Sequence, residues 1–281
     1  MAKTTFILSY KRVRLFCVLV MVVLLTAIAI CTVSNQLKTN YETATYVVIL
    51  DGFRADYMSQ TPALLAFTEK GLANLSAVSV LPSITPAAHA SMFTGVDPQA
   101  HGVTNYTLQI LKVPTVFAYF KARGVRSCYV AGKDYLGFLL AQADVGFDSS
   151  VLYDPRNISD YDAKTLAKAA QLQKEQSCQA VVVYLSATDE IGHLYGPYSK
   201  EMKSNLIMLN NLLREFLTIH ENNNIIITAD HGMCQGSKGG YHGTNESCAM
   251  VVPLIVRSAG IKKEPLSSIK DIYRLLLKIY N

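Results

Sequence analysis

Five short runs of the chain are almost continuously apolar rather than alternating: residues 46–50 (YVVIL), 126–131 (RSCYVA), 180–185 (AVVVYL), 224–228 (NIIIT) and 251–256 (VVPLIV). Unbroken runs of this length read as strands buried on both faces, the pattern of a parallel sheet covered by helices. Between them the apolar positions recur every three or four residues. Over 200–220, Leu206, Leu209, Leu213, Phe216 and Leu217 form one stripe, which predicts an amphipathic helix. Residues 113–122, 159–175 and 267–280 carry the same period. Strands alternating with helices predict an α/β fold: a doubly wound, mostly parallel central sheet with helices on both faces.

Upstream of these elements, residues 16–33 are an apolar run of 18 residues whose polar members are Cys17, Thr26, Cys31 and Thr32. It has no polar face for a soluble domain and is long enough to span a bilayer. The pattern predicts a basic cytoplasmic tail over 1–14, one N-terminal transmembrane signal anchor over 15–33, a polar stalk over 34–43 and a folded domain over 44–281. A basic flank on the N-terminal side places that end in the cytoplasm and the folded domain on the exoplasmic side, whether extracellular, periplasmic or luminal.

Composition narrows the classes. At 50% hydrophobic and 17% charged, the chain is not a disordered one. Lys3, Lys11, Arg12 and Arg14 precede the first acidic residue, and without them the balance is 22 basic against 21 acidic. No basic face for a nucleic acid duplex is implied. Of six cysteines, Cys17 and Cys31 belong to the apolar run. Cys128, Cys178, Cys234 and Cys248 remain and allow three pairings, or four free thiols. Asn74, Asn105, Asn157 and Asn245 each open an N-x-Ser/Thr triplet.

In open α/β sheets, chemistry gathers beyond the carboxyl ends of the strands. Asp51 follows the first strand, Asp189 the third, and Asp230 with His231 the fourth. Any one of these aspartates could simply cap the next helix. However, His193 lies four residues after Asp189, which puts the two on one face of a helical turn, and His242 sits in a loop with Gly239, Gly240 and Gly243. Three Asp and three His suit zinc or a similar divalent ion, and six donors exceed the need of one tetrahedral ion. Two ions would form a clamp for in-line phosphoryl displacement. Thr85, before Pro86, reads as the N-cap of a short helix, where an anion would bind. It is the candidate nucleophile.

The ordered segments VILDGFRADY, PSITPAAH with TGVDPQAHGV, TDEIGHLYGP, TADHGM and YHGTN resemble the alkaline phosphatase superfamily, in its type I phosphodiesterase and nucleotide pyrophosphatase branch. The resemblance runs from about residue 45 to 278 and implies an alkaline phosphatase-like catalytic domain over 44–281 with two divalent metal ions, zinc in that family. It implies that Asp51, Thr85, Asp230 and His231 hold one ion and that Asp189, His193 and His242 hold the other. Thr85 then forms a covalent phosphothreonine that water releases. The family's phosphate-binding asparagine falls nearest to Asn105, one residue out of register and inside a glycosylation triplet. His89 and His101 match positions that are structural in the family and are left out of the site. The resemblance to sulfatases, which share the fold, fails at the nucleophile, because Thr85 is followed by Pro-Ala-Ala-His where those enzymes need Cys or Ser followed by x-Pro-x-Arg.

The resemblance implies a small phosphodiester or nucleotide substrate. Three other readings share the fold: a phosphomonoesterase on the same site, a membrane phosphoethanolamine-type transferase, and a non-catalytic binding ectodomain. Monoester chemistry would require a cationic clamp on the extra phosphate oxygen, for which Arg54 and Lys133 are the candidate donors if they are not simply structural.

Overall fold

The run TYVVIL is buried at every position because it forms the middle strand of a seven-stranded sheet, β1 (Thr45–Leu50). The computed structural model describes residues 20–21, 23–26, 43–107 and 110–281, in two units, Met1–Thr43 and Ala44–Asn281. In the first unit, residues 20–21 and 23–26 are helical. No helix among the described residues is long and apolar enough to cross a membrane. Most of the span expected over 15–33, together with the tail and nearly all of the stalk, lies outside the described residues.

The remaining strands of the second unit are β2 (Leu72–Val78), β3 (Ser127–Ala131), β4 (Val145–Asp148), β5 (Ala180–Leu185), β6 (Asn224–Thr228), the short pair β7 (Cys234–Gln235) and β8 (Gly240–Tyr241), and β9 (Val251–Arg257). The sheet order is β2-β9-β6-β1-β5-β3-β4, and β6, β1, β5, β3 and β4 run parallel. All five apolar runs are strands, but β9 is antiparallel to both β6 and β2. A continuous apolar run reports burial on two faces and carries no direction. Pro253 sits inside this interior strand without an N–H to donate. The β2 partner changes register between Asn74 and Ala77, just where Pro253 faces it.

The helices that position the site are α1 (Thr85–Thr94), α2 (Val116–Ala122), α3 (Ile158–Gln176), α4 (Ala187–Tyr195), α5 (Lys200–Ile219) and α6 (Asp271–Ile279). Ser199 caps α5 by accepting from the Met202 N–H at 3.0 Å, and its stripe of Leu206, Leu209, Leu213 and Phe216 is buried. On that face of the sheet, Tyr46 of β1 meets Phe216 edge-on with centroids 5.3 Å apart. On the other face, Tyr129 of β3 packs on Phe93 of α1 and Phe117 of α2. Helices therefore cover both faces.

Two disulfides cross-link the unit, Cys128 to Cys178 and Cys234 to Cys248. The first joins β3 to the residues leading into β5. The second closes the loop that carries His242.

Candidate metal centre

Three strand ends and one helix start converge beyond the carboxyl edge of the sheet. Asp51 follows β1, and its turn needs Gly52: φ there is +67°, and a Cβ would approach the Asp189 backbone to 3.0 Å. Asp189 and His193 lie one turn apart on α4, whose first residue, Ala187, donates its N–H to buried Asp162 of α3 at 3.1 Å. Asp230 and His231 follow β6. His242 reaches the site just after β8, and the turn before β8 packs so close on α4 that a Cβ at Gly239 would fall 1.9 Å from the His193 carbonyl oxygen. Thr85 is the first residue of α1, with Ile84 as the cap. The structure thus corrects the N-cap expectation by one position: an N-cap is pre-helical, and Pro86 takes the second helical place. The Thr85 hydroxyl turns into the site, toward His231 Nε2.

The six donors form two triads. In each of Asp51–Asp230–His231 and Asp189–His193–His242, one ligand atom per residue lies within 4.8 Å of the others. Thr85 Oγ1 is 3.2 Å from His231 Nε2. The rings of His231 and His242 stack at 3.8 Å and link the triads. A third grouping, Cys234, Glu246 and Cys248, offers no thiolate, because both sulfurs are in the disulfide.

Three features fit the triads to cations. First, Asp51 Oδ1, Asp189 Oδ1 and Asp230 Oδ2 are buried without a hydrogen-bond partner, and a buried unpartnered carboxylate oxygen is costly. Second, all three histidines turn Nδ1 to a backbone carbonyl: His231 to Gly232 at 3.0 Å, His193 to Gly240 at 3.0 Å and His242 to Ser83 at 2.9 Å. A carbonyl only accepts, so Nδ1 carries the hydrogen and Nε2 points its lone pair inward, the arrangement found behind metal-bound imidazoles. Third, His193 Nε2 and His242 Nε2 face one another at 3.1 Å. Two lone pairs at that distance need a cation or a proton between them.

The electrostatics agree. Burial raises the Asp51 pKa well above its usual range, and Asp189 and Asp230 add to the rise. Burial also pushes Asp230 upward, but His231 and His89 outweigh it and hold this carboxyl low. His242 falls to about 4 through burial and the neighbouring His231, so it is a neutral donor at pH 7. Asp189 raises His193 through their contact at 3.3 Å. That drawn-in proton is what a metal would displace.

Several supporting residues had no signal in the sequence. Tyr184 donates its hydroxyl to Asp51, and Ser83 supplies the carbonyl that orients His242. His89, set aside as structural, touches the site: its Nε2 faces Asp230 Oδ2 at 3.6 Å and its Nδ1 pairs with the Tyr129 hydroxyl. His101 instead bonds Ser91 of α1 and accepts from the Val103 N–H. Asn105 is exposed and accepts from the Thr107 N–H at 2.9 Å; this places it on the loop of Tyr106, whose ring packs on Tyr135. Arg54 is structural, bound to Asp56, the Met233 carbonyl and Tyr198. Lys133 pairs with Glu190.

At the carboxyl edge of this α/β sheet, two acid–histidine triads beside a hydroxyl form an arrangement able to hold divalent cations. The profile of the type I phosphodiesterase / nucleotide pyrophosphatase family matches residues 45–119 and 142–247, and the chain belongs to that family. Human ectonucleotide pyrophosphatase/phosphodiesterase family member 1 is 29% identical over 230 residues, 72% of this chain and 25% of its own length. An uncharacterized pyrophosphatase/phosphodiesterase of Schizosaccharomyces pombe is 26% identical over 234 residues, 71% of this chain and 47% of its own. The chain thus spans a quarter to a half of the length of these relatives.

Among solved structures, an inactive threonine-to-alanine form of murine ectonucleotide pyrophosphatase/phosphodiesterase 5 with AMP aligns with TM-score 0.68 at 14% identity, covering 85% of this chain and 95% of that one. A Sinorhizobium meliloti phosphonoacetate hydrolase aligns with TM-score 0.62 at 17% identity, covering 85% and 96%. Both share the fold.

The Cys234–Cys248 disulfide closes the loop that carries His242, so its removal probes that loop. Replacing Cys234 and Cys248 by serine together is expected to cost about 3 kcal/mol, from the loop the bond closes. Zinc should then bind more weakly at the His242 triad than at the Asp51 triad. Urea unfolding and zinc titration check the two effects separately.

Proposed function

We propose that this chain is a two-metal phosphohydrolase that cleaves phosphodiester or pyrophosphate bonds, with Thr85 as the nucleophile. The observation that carries the reading is the place of the Thr85 hydroxyl, 3.2 Å from His231 at the meeting of the two triads. Asp51, Asp230, His231 and Thr85 would hold one ion, and Asp189, His193 and His242 the other. Zinc suits this mixture of carboxylate and imidazole.

Bound there, divalent ions would make the Thr85 hydroxyl more acidic and offset negative charge on the leaving oxygen. The chain's own residues do the rest. Tyr184 and Gly52 hold Asp51 and Asp230 from behind, and the three backbone carbonyls fix the imidazoles. Thr85 is held rigidly in the first turn of α1. Its oxygen gives up its proton to solvent and attacks phosphorus in line, the bond to the leaving oxygen breaks, that oxygen takes up a proton, and the phosphoryl group stays on Thr85. Water then attacks phosphorus, the bond from phosphorus to the Thr85 oxygen breaks, and a proton from that water restores the Thr85 hydroxyl as the phosphate product leaves. That the murine neighbour with a threonine-to-alanine change is described as inactive supports giving the threonine this part. Asn105, on the rim loop, would bind a phosphate oxygen after turning from Thr107.

The two cysteine bridges suit an oxidising compartment. Together with the basic tail and the apolar run before residue 34, they support a reading in which the enzyme is membrane-anchored and faces the exoplasmic side.

The test is hydrolysis by the zinc-loaded chain of a chromogenic bis-aryl phosphate and the matching monoaryl phosphate, with a chiral phosphorothioate diester followed for stereochemistry. The diester is expected to be the better substrate, with net retention at phosphorus from two inversions. Inversion would rule out the phosphothreonine, and faster turnover of the monoester would make the enzyme a phosphatase.

A further inference from the structure

Lys133 follows β3, and its ammonium is bound by Glu190 of α4, the residue next to Asp189, which brings a cation to the edge of the metal centre. Its side chain is 17% exposed, so the charge is largely removed from water and needs a partner. The two triads contain Asp51, Asp189 and Asp230 as possible counter-charges, but metal ions would engage all three. Glu190 is then the carboxylate left to Lys133. It is the residue after Asp189 in the first turn of α4, where the helix dipole favours a negative charge, and it is no member of either triad.

The charge count separates two classes of substrate. Two divalent ions would bring four positive charges against three carboxylates, with the histidines neutral and Thr85 an alcohol, leaving one positive charge. The ion pair of Lys133 and Glu190 adds nothing to that. A phosphodiester, or the inner phosphorus of a pyrophosphate bond, carries one negative charge and leaves the site neutral. A phosphomonoester dianion carries two and is in excess. Without the Glu190 charge, Lys133 would raise the surplus to two, the match for the dianion. Arg54 does not compete for this part, because Asp56, Met233 and Tyr198 already occupy its guanidinium.

We propose that Glu190 sets the charge selectivity of the site: by neutralising Lys133 it keeps the pocket matched to singly charged phosphodiester groups and against phosphate dianions. The inference rests on the two-metal phosphohydrolase reading and names the class of substrate within it. Glu190 touches neither substrate nor metal in this account and acts through Lys133, so it is a positioning residue.

The experiment measures two quantities on the full chain loaded with zinc, whose zinc content is checked in every variant. One is the ratio of kcat/KM for the bis-aryl and monoaryl phosphates. The other is the affinity for inorganic orthophosphate, read by calorimetry at pH 8. Glu190→Gln is expected to shift the ratio toward the monoester by roughly tenfold and to tighten orthophosphate by a similar factor, as an extra nearby positive charge would. Adding Lys133→Met to Glu190→Gln should return both values to those of the wild type. Lys133→Met alone leaves Glu190 unpaired and should weaken orthophosphate by about tenfold, so the same count is read from the opposite side even if Glu190→Gln does not fold. Unchanged orthophosphate affinity in Glu190→Gln with full zinc, or a tightening that survives the loss of Lys133, overturns the inference. If the wild type hydrolyses neither ester, the phosphohydrolase reading fails, and the orthophosphate series still decides the role of Glu190.

Discussion

Thr85→Ala is expected to lose diester hydrolysis by at least about a thousandfold, while the protein folds and takes up its metal as before. The size follows from the role: removing a residue that forms the covalent intermediate leaves only the catalysis due to binding and electrostatics, and nucleophile deletions of this kind cost about 10³ to 10⁶. The neutrality of the fold follows from position. Thr85 is the first residue of α1, its side chain caps nothing, and alanine is a better helix former than threonine. Asp51, Asp230 and His231 remain to bind an ion, so zinc content should stay near that of the wild type. Thr85→Ser keeps an attacking hydroxyl and should retain part of the rate. Turnover assays run beside metal analysis and urea unfolding check this. A Thr85→Ala protein that keeps more than a few per cent of its activity would mean that water attacks phosphorus directly and that Thr85 is a ligand or a wall.

What the chain reveals before folding divides along a physical line. The strands buried on both faces stand out because β-branched residues fill them without interruption, as in AVVVYL and NIIIT. β2 and β4 lie at the two edges of the sheet and are only partly buried, so LANLSAV and VGFD have no pattern distinct from a loop. The direction of β9 is likewise silent, although Pro253 within it hints at irregular pairing. The candidate metal donors other than His242 are legible because strand ends and the i, i+4 spacing of Asp189 and His193 place them by rule. Their supports are not. Tyr184 behind Asp51, Ser83 behind His242, His89 behind Asp230 and Glu190 on Lys133 are each contacts across 40 or more residues, apparent only when the sheet and its loops have been assembled.

Withdrawing the metal should destabilise the second unit, and most at high pH. Bound metal at a thousand times its dissociation constant contributes about 4 kcal/mol per site, and chelation removes that at any pH where the ligands are deprotonated. A second effect belongs to Asp51. Its folded pKa is raised well above the ordinary 3.8 by burial and by Asp189 and Asp230, so the folded protein holds this proton more tightly than the unfolded chain does. The resulting stabilisation is complete below the unfolded value and is lost as pH climbs through the folded one. Above it, the metal-free protein carries an unpaired buried charge. Asp51→Asn removes that charge. Without metal, the variant should match or trail the wild type in acid and become the more stable of the two as pH rises toward 8. With zinc the order should reverse, because the variant has lost a ligand. Urea unfolding of both proteins from pH 5 to 9, with chelator and with zinc, reads all four cases. If the metal-free curves run parallel across that range, the three carboxylates do not share one field, and the first metal site is not built as the geometry indicates.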